Sequence, residues 1–223
     1  MRKIIGAAFI SLDGVIQGPG GTTEDPTGGF KYSGWLPPVA DDDEAIMKTI
    51  GDIFNRPFDL LLGRRTYDIF AAFWPYAEGN EKPLGEMFDR ARKYVVTRGQ
   101  KPLTWQNSER LSSIEAVARV KNGDGPDLVI QGSSTLYPQL LAAGLIDRLI
   151  LMTFPVMLGS GKRLFGEHTP GGTLRMVDHM VSPRGNIVAT YKPAGAIKTG
   201  SFVSPEPSEA EIARRKAMAD GTW

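Results

Sequence analysis

"FDLLLGRRTYDIF", residues 58–70, passes from an apolar run through Gly63 into Arg64, Arg65 and Thr66 before a helical pattern begins. The "FDLLL" segment reads as a strand buried on both faces, and Tyr67, Phe70, Ala71 and Trp74 then recur at helical spacing. The junction is a strand-to-helix turn with two permanent positive charges at the helix start. Cations there oppose the positive end of the helix dipole, a costly placement unless an anion or a carboxylate lies nearby. Gly63 permits close backbone approach, and the unpaired N–H groups of the helix start suit a phosphate. An ordinary solvated turn is the competing reading.

Working outward, the same alternation repeats. "KIIGAAFI" at 3–10 is an apolar run that predicts a first strand, followed by a Gly- and Pro-rich loop up to Pro38 that could act as a flap. Residues 41–55 predict a helix, with Asp41 and Glu44 forming a capping-box pattern. After the 58–70 junction come a short helix near 83–91, the strand "KYVVT" at 93–97, a helix near 112–121 and the strand "DLVI" at 127–130. The helix "LYPQLLAA" ends near Gly144, suited to a left-handed cap, and "RLILMTF" at 148–154 is another strand. "TLRMVDHM" and "NIVATY" flank "VSPRGN" with no helix between them, which predicts an antiparallel hairpin closing one sheet edge. The expected class is therefore α/β, a mostly parallel mixed sheet with helices on both faces and a C-terminal hairpin.

This domain is expected to span 1–193. Residues 194–223 form an extension in which Ser208 and Glu211 make a second capping box.

Composition narrows the function classes. The chain has 223 residues and 41% hydrophobic content, enough for one substantial core. Lys and Arg number 26 against 25 Asp and Glu, leaving +1, so no global field favours nucleic acid or an anionic membrane. There are no cysteines and only two histidines, His168 and His179. Disulfides and thiolate sites are excluded, a metal site is not expected, and a reducing cytoplasm is the expected location. The basic, apolar N-terminus is too short and too soon interrupted by Asp13 to read as a leader or a span.

Three predicted strand ends carry small, hydroxyl or basic residues, and ligands of open parallel sheets bind at the carboxyl ends of strands. The first is Gly63-Arg64-Arg65-Thr66. The second is Thr97-Arg98, which could grip a ribose phosphate or be an ordinary loop. The third is Gly132-Ser133-Ser134-Thr135-Leu136, suited to a pyrophosphate or explained by N-capping through Ser133 or Ser134. Neither the Walker pattern nor G-x-G-x-x-G occurs at these turns. Asp13 in "SLDG" could face a substrate or fix a turn, and Trp35 could stack on a planar ring or pack in place.

"SLDG", "LLGRRTYDIF", "VVTRG", "LVIQGSSTLYPQLL" and "LIDRLILMTFPVMLGSGKRLF", in this order over residues 1–192, resemble the dihydrofolate reductase-like superfamily. The branch resembled is that of the reductase domain of the bifunctional riboflavin-biosynthesis deaminase/reductase. The resemblance implies an NADPH-dependent reductase acting on a small planar heterocycle such as a pterin or pyrimidinone. It places Gly63 to Thr66 at the first phosphate-binding helix, Thr97 and Arg98 near the 2'-phosphate, and Gly132 to Leu136 around the pyrophosphate. It also implies a homodimer, with the late strands and the "PVMLGSG" loop near the contact. Folate reductases usually carry paired glycines where this chain has Gly132-Ser133. A nucleotide-binding module without turnover, or an interaction protein assembled through 194–223, are the alternatives.

Overall fold

The computed structural model describes residues 1–202 and 206–223; residues 203–205 of the expected extension lie outside the described residues. In chain order the elements are β1 (Ile4–Ser11), α1 (Pro37–Ala40), α2 (Glu44–Phe54), β2 (Phe58–Gly63), α3 (Arg64–Phe73), α4 (Lys82–Arg90), β3 (Lys93–Val96) and β4 (Ser108–Leu111). There follow α5 (Ile114–Asn122), β5 (Asp127–Gln131), α6 (Leu136–Ala142), β6 (Arg148–Phe154), β7 (Leu174–Val181), β8 (Ile187–Pro193) and α7 (Glu209–Ala219).

One eight-stranded sheet runs in the order β4-β3-β2-β5-β1-β6-β8-β7. The first six strands in this order are mutually parallel, and β8 is antiparallel to both β6 and β7. The α/β class and the mixed sheet are as the alternation implies. The hairpin inserts β8 next to β6, which leaves β7 as the outer strand.

Central strands are buried on both faces, so their residues feed two cores. Leu61, Leu128, Ile130 and Leu149 face Val117 of α5 and Leu136, Tyr137 and Leu140 of α6. Leu60, Leu62, Val95 and Val129 face Phe54 of α2, Tyr67 of α3 and Phe88 of α4. Tyr137 reaches so close to β1 that a Cβ on Gly6 would stand 2.6 Å from its ring, which accounts for a glycine inside a central strand. A third cluster, with Val15, Phe30, Trp35, Ile46, Phe154 and Leu158, seats the long loop after β1 on the sheet.

Three local expectations change. The strand β4, "SERL", has no apolar run to announce it; it exists because it extends the sheet edge alongside β3. The N-cap of α2 is Asp43, not Asp41: its Oδ1 accepts from the Ala45 and Ile46 amides, and its Oδ2 accepts from Asn186 at 2.7 Å. Neither Ser133 nor Ser134 caps α6, whose N-cap is Thr135 without a side-chain bond. Gly144 takes φ +64 as expected, and the second capping box is half formed: Ser208 caps α7 by accepting from Glu211 N–H, while the Glu211 carboxylate turns to Arg214 and Arg215.

Candidate functional site

The carboxyl ends of β2 and β5 meet in a locked turn. Gly132 and Ser133 both take left-handed backbone, φ +65 and +56. A serine seldom adopts this conformation, and two bonds hold it there. Gly63 N–H donates to Ser133 Oγ at 2.9 Å, and Ser133 N–H donates to Thr66 Oγ1 at 3.0 Å. A Cβ on Gly132 would meet Thr66 at 3.2 Å, so the glycine is what allows α3 and this turn to touch. The hydroxyl expected to cap a helix instead ties two strand ends together.

The two arginines that open α3 part company. Arg64 is fully employed: Nε faces both Asp68 carboxylate oxygens at 2.9 and 3.0 Å, while Nη1 and Nη2 donate to the Lys101 and Pro102 carbonyls. Its guanidinium also lies over the Tyr67 ring. The structure therefore gives Arg64 a carboxylate, the second of the two partners its position demands, and makes it a tie between α3 and the loop after β3. Arg65 is exposed, and none of the described residues pairs with its guanidinium.

Arg65 faces a cleft of about 410 Å3, whose other walls include Gln17, Thr27, Phe30, Gly161 and Lys162. Because α3 offers no side-chain cap at Gly63, its first N–H groups lack intrahelical partners at this edge. Arg98, beyond the end of β3, is likewise exposed and unpaired among the described residues. Thr97 Oγ1 accepts from Gly99 N–H at 3.1 Å. Ser134 is half-buried, Thr135 is exposed, and Leu136 is buried in the core.

The flap wall is built from two loops far apart in sequence. Gln17 uses both side-chain polar atoms and its carbonyl: Nε2 donates to the Asp25 and Thr27 carbonyls, Oε1 accepts Lys162 N–H, and its backbone carbonyl accepts Trp35 Nε1. Lys162 Nζ pairs with Asp25 at 2.5 Å and donates to Thr27 Oγ1 at 2.8 Å. Burial opposes ionisation of Asp25, but the Lys162 and Thr27 bonds outweigh it and hold its pKa below the usual range.

Asp13 and Trp35, the two substrate-side expectations, both make structural contacts. Asp13 Oδ1 accepts from Ser11 Oγ and Leu158 N–H, and Oδ2 accepts from Gly159 N–H, so the carboxylate fixes the turn and anchors the 155–163 loop. Burial works against its charge, yet these bonds lower its pKa. Trp35 is 8% exposed, edge-on to Phe154 at 5.8 Å, with its N–H already satisfied. Its face is core, not a stacking platform.

Gln17, Phe30 and Lys162 escaped the sequence reading because their proximity depends on pairing across about 145 residues, as the Lys162–Gln17 bond shows. Gln131, the last residue of β5, directly precedes the locked turn, and its Oε1 is buried without a hydrogen-bond partner among the described residues. Among the described residues no group of three or more His, Asp or Glu is placed to hold a metal ion. No helix among them is long and apolar enough to cross a membrane.

Comparisons with known proteins agree with this fold. The family model described as the RibD C-terminal domain matches residues 2–188. The uncharacterized protein YyaP of Bacillus subtilis is 28% identical over 197 residues, covering 85% of this chain and 94% of its own. Among solved structures, a putative riboflavin biosynthesis protein from Shewanella sp. PV-4 superposes with a TM-score of 0.58 at 20% identity, over 86% of this chain and 99% of its own. Dihydrofolate reductase from Enterococcus faecalis, complexed with NADP(H) and RAB-propyl, gives 0.53 at 16% identity, over 86% and 96% of the two chains. These likenesses show a shared dihydrofolate reductase-like fold.

Proposed function

The chain belongs to the RibD C-terminal domain family, and on that premise we propose that it is an NADPH-dependent reductase of a small planar heterocycle. The observation that carries this reading is the pair of guanidiniums, Arg65 and Arg98, left without partners among the described residues and flanking the Gly63–Ser133 lock at the carboxyl edge. Charged donors left unpaired beside a helix start and a glycine-opened turn suit a phosphorylated dinucleotide.

In this reading the Arg65 and Arg98 forks hold phosphate oxygens, the α3 N–H groups add fixed dipoles, and Gly132 lets the backbone approach closely. NADPH, when bound, supplies the hydride. The flap residues Gln17, Phe30 and Lys162 exclude water from the cleft. Catalysis then rests on orientation and a preorganised polar surround.

A homodimer belongs to the same proposal. The outer strand β7 leaves its edge unpaired and carries exposed apolar residues, Met176 at 50% and Val181 at 61%. Such an edge invites a second copy. Sedimentation of wild type against Val181→Lys tests it, with a monomer expected for the variant. The cytoplasm is the proposed location, in keeping with a chain without cysteine.

Calorimetric binding of NADPH and NADH at one fixed salt concentration tests the cofactor. A clear preference for NADPH is the expected result, and binding of neither overturns the reading. NADPH binding without its oxidation across pterins, pyrimidinones, flavins and quinones would favour a nucleotide-binding module without turnover.

A further inference from the structure

The amino edge of the sheet, opposite the cleft, carries a second hollow of about 410 Å3. Its floor is Arg2, only 4% exposed. Arg2 Nη2 pairs with Asp59 of β2, Nε donates to the Pro126 carbonyl at 2.5 Å, and Nη1 donates to Tyr94 Oη of β3 at 3.2 Å. Arg92 approaches the same phenol from the rim, with Nη1 3.5 Å from Tyr94 Oη. Arg90, in the last turn of α4, lines the third side.

Three arginines, Arg2, Arg90 and Arg92, and two carboxylates, Asp59 and the exposed Asp124, line this hollow. Asp59 neutralises Arg2, a buried pair. Arg92 has Glu109 at 3.6 Å and Arg90 has Glu86 at 4.0 Å, and all four side chains are at least half exposed, so solvent screens both pairs. The C-terminal dipole of α4 accounts for Arg90. It does not account for two guanidiniums converging on one phenol oxygen, where like charges repel.

One further feature leaves a donor open, and another packs the floor. Tyr94 Oη accepts from both arginines, which uses its lone pairs and leaves its own O–H to donate. Gly125 holds φ +137, and a Cβ there would stand 3.2 Å from Arg2 Cζ. A side chain at 125 would crowd the buried Arg2 guanidinium, so the glycine lets this loop pack against it.

We propose that this hollow is a phosphate-binding site, in which Arg92 and Arg90 close on the oxygens from the rim, the Tyr94 hydroxyl donates from the side and the Arg2–Asp59 pair forms a rigid floor. The planar fork of arginine matches a tetrahedral oxyanion better than a lysine would. Inorganic phosphate and the phosphoryl end of a phosphomonoester share this chemistry. The site lies apart from the cofactor cleft and does not depend on the reductase reading.

The test is titration of the full chain with inorganic phosphate and, separately, with ribose 5-phosphate, followed by calorimetry and thermal unfolding at constant ionic strength set with chloride. Arg92→Ala reports on the hollow and Arg65→Ala on the cleft; both side chains are exposed, so both variants are expected to fold. The expected result is binding in wild type and Arg65→Ala that is weakened about tenfold in Arg92→Ala, the loss of one charge-assisted contact of roughly 1.4 kcal/mol. Tyr94→Phe, which keeps the ring, is expected to weaken it as well. Response to the ester as well as the free ion identifies a phosphomonoester site, and response to the free ion alone a phosphate site; both support the proposal. Binding that disappears in Arg65→Ala but persists in Arg92→Ala, or no response of wild type beyond the chloride control, overturns it.

Discussion

Ser133 Oγ accepts the Gly63 amide at 2.9 Å, joining the ends of β5 and β2 across 70 residues of chain. The bond is buried, and it holds Ser133 in a left-handed conformation that serine would not choose alone. Replacing it separates two effects. Ser133→Ala loses the bond and keeps the strain, with an expected cost of about 1–3 kcal/mol from an unsatisfied buried donor. Ser133→Gly loses the bond and relieves the strain, so it is expected to be the milder of the two in urea unfolding. Both are expected to weaken NADPH binding, because the lock shapes the turn.

Arg64 and Arg65 are adjacent but not equivalent. Arg65→Ala and Arg98→Ala are expected to weaken NADPH by about tenfold or more, in line with loss of a charge-assisted contact. Whichever of them meets the 2'-phosphate will leave NADH nearly unaffected. Arg64→Ala breaks the bonds to Asp68 and to the Lys101 and Pro102 carbonyls, so it is expected to weaken NADPH and NADH alike and to lower the unfolding midpoint. A selective NADPH loss in Arg64→Ala would reassign the pair.

Trp35 anchors the flap through its core ring and its N–H to the Gln17 carbonyl. Trp35→Ala is expected to cost about 3–5 kcal/mol, the usual penalty for emptying an aromatic site. Trp35→Phe keeps the apolar body but forfeits the N–H bond, and a cost of about 1 kcal/mol is expected. Denaturant unfolding with limited proteolysis between 18 and 34 reads both.

Lys93 is buried, with Nζ donating to the Asp89 and Ala91 carbonyls and lying 4.2 Å from the centre of the Trp105 ring. Burial lowers its pKa to about 8, against the opposing pull of Asp89 and Asp59. In the unfolded chain lysine keeps its proton to about 10.4, so between these values the unfolded state binds more protons and stability rises with pH. Lys93→Met cannot titrate. The stability difference, wild type minus variant, is therefore expected to grow in favour of wild type as pH rises from 8 to 10, by on the order of 1 kcal/mol per unit. Parallel pH profiles would show that Lys93 titrates normally.

Much of this architecture is legible in sequence because β2, β5 and β6 are apolar runs closed by turn signals, each followed or preceded by helical spacing. The strand β4 was not legible: "SERL" has no pattern of its own and is a strand only because β3 offers it a ladder. The site divides in the same way. Gly63, Thr66, Gly132 and Ser133 were singled out by local turn chemistry and do meet. Local chemistry could not distinguish Arg64 from Arg65, since the carbonyls that engage Arg64 come from residues 101 and 102. Nor could it show that Trp35, in a Gly-rich loop, is buried, or that Gln17 meets Lys162.

The place of β1 in the sheet has a consequence for synthesis. Its neighbours are β5 and β6, with Ile4 beside Leu128 and Ile5 beside Arg148. As the ribosome emits the chain, the first apolar strand emerges well over a hundred residues before either partner exists. Until then it is an open ladder with no mate, the kind of segment that folds late and is most exposed to misassembly. This central strand therefore waits for both of its mates until the second half of the sheet has been made, and the order of synthesis itself sets how long it stays open.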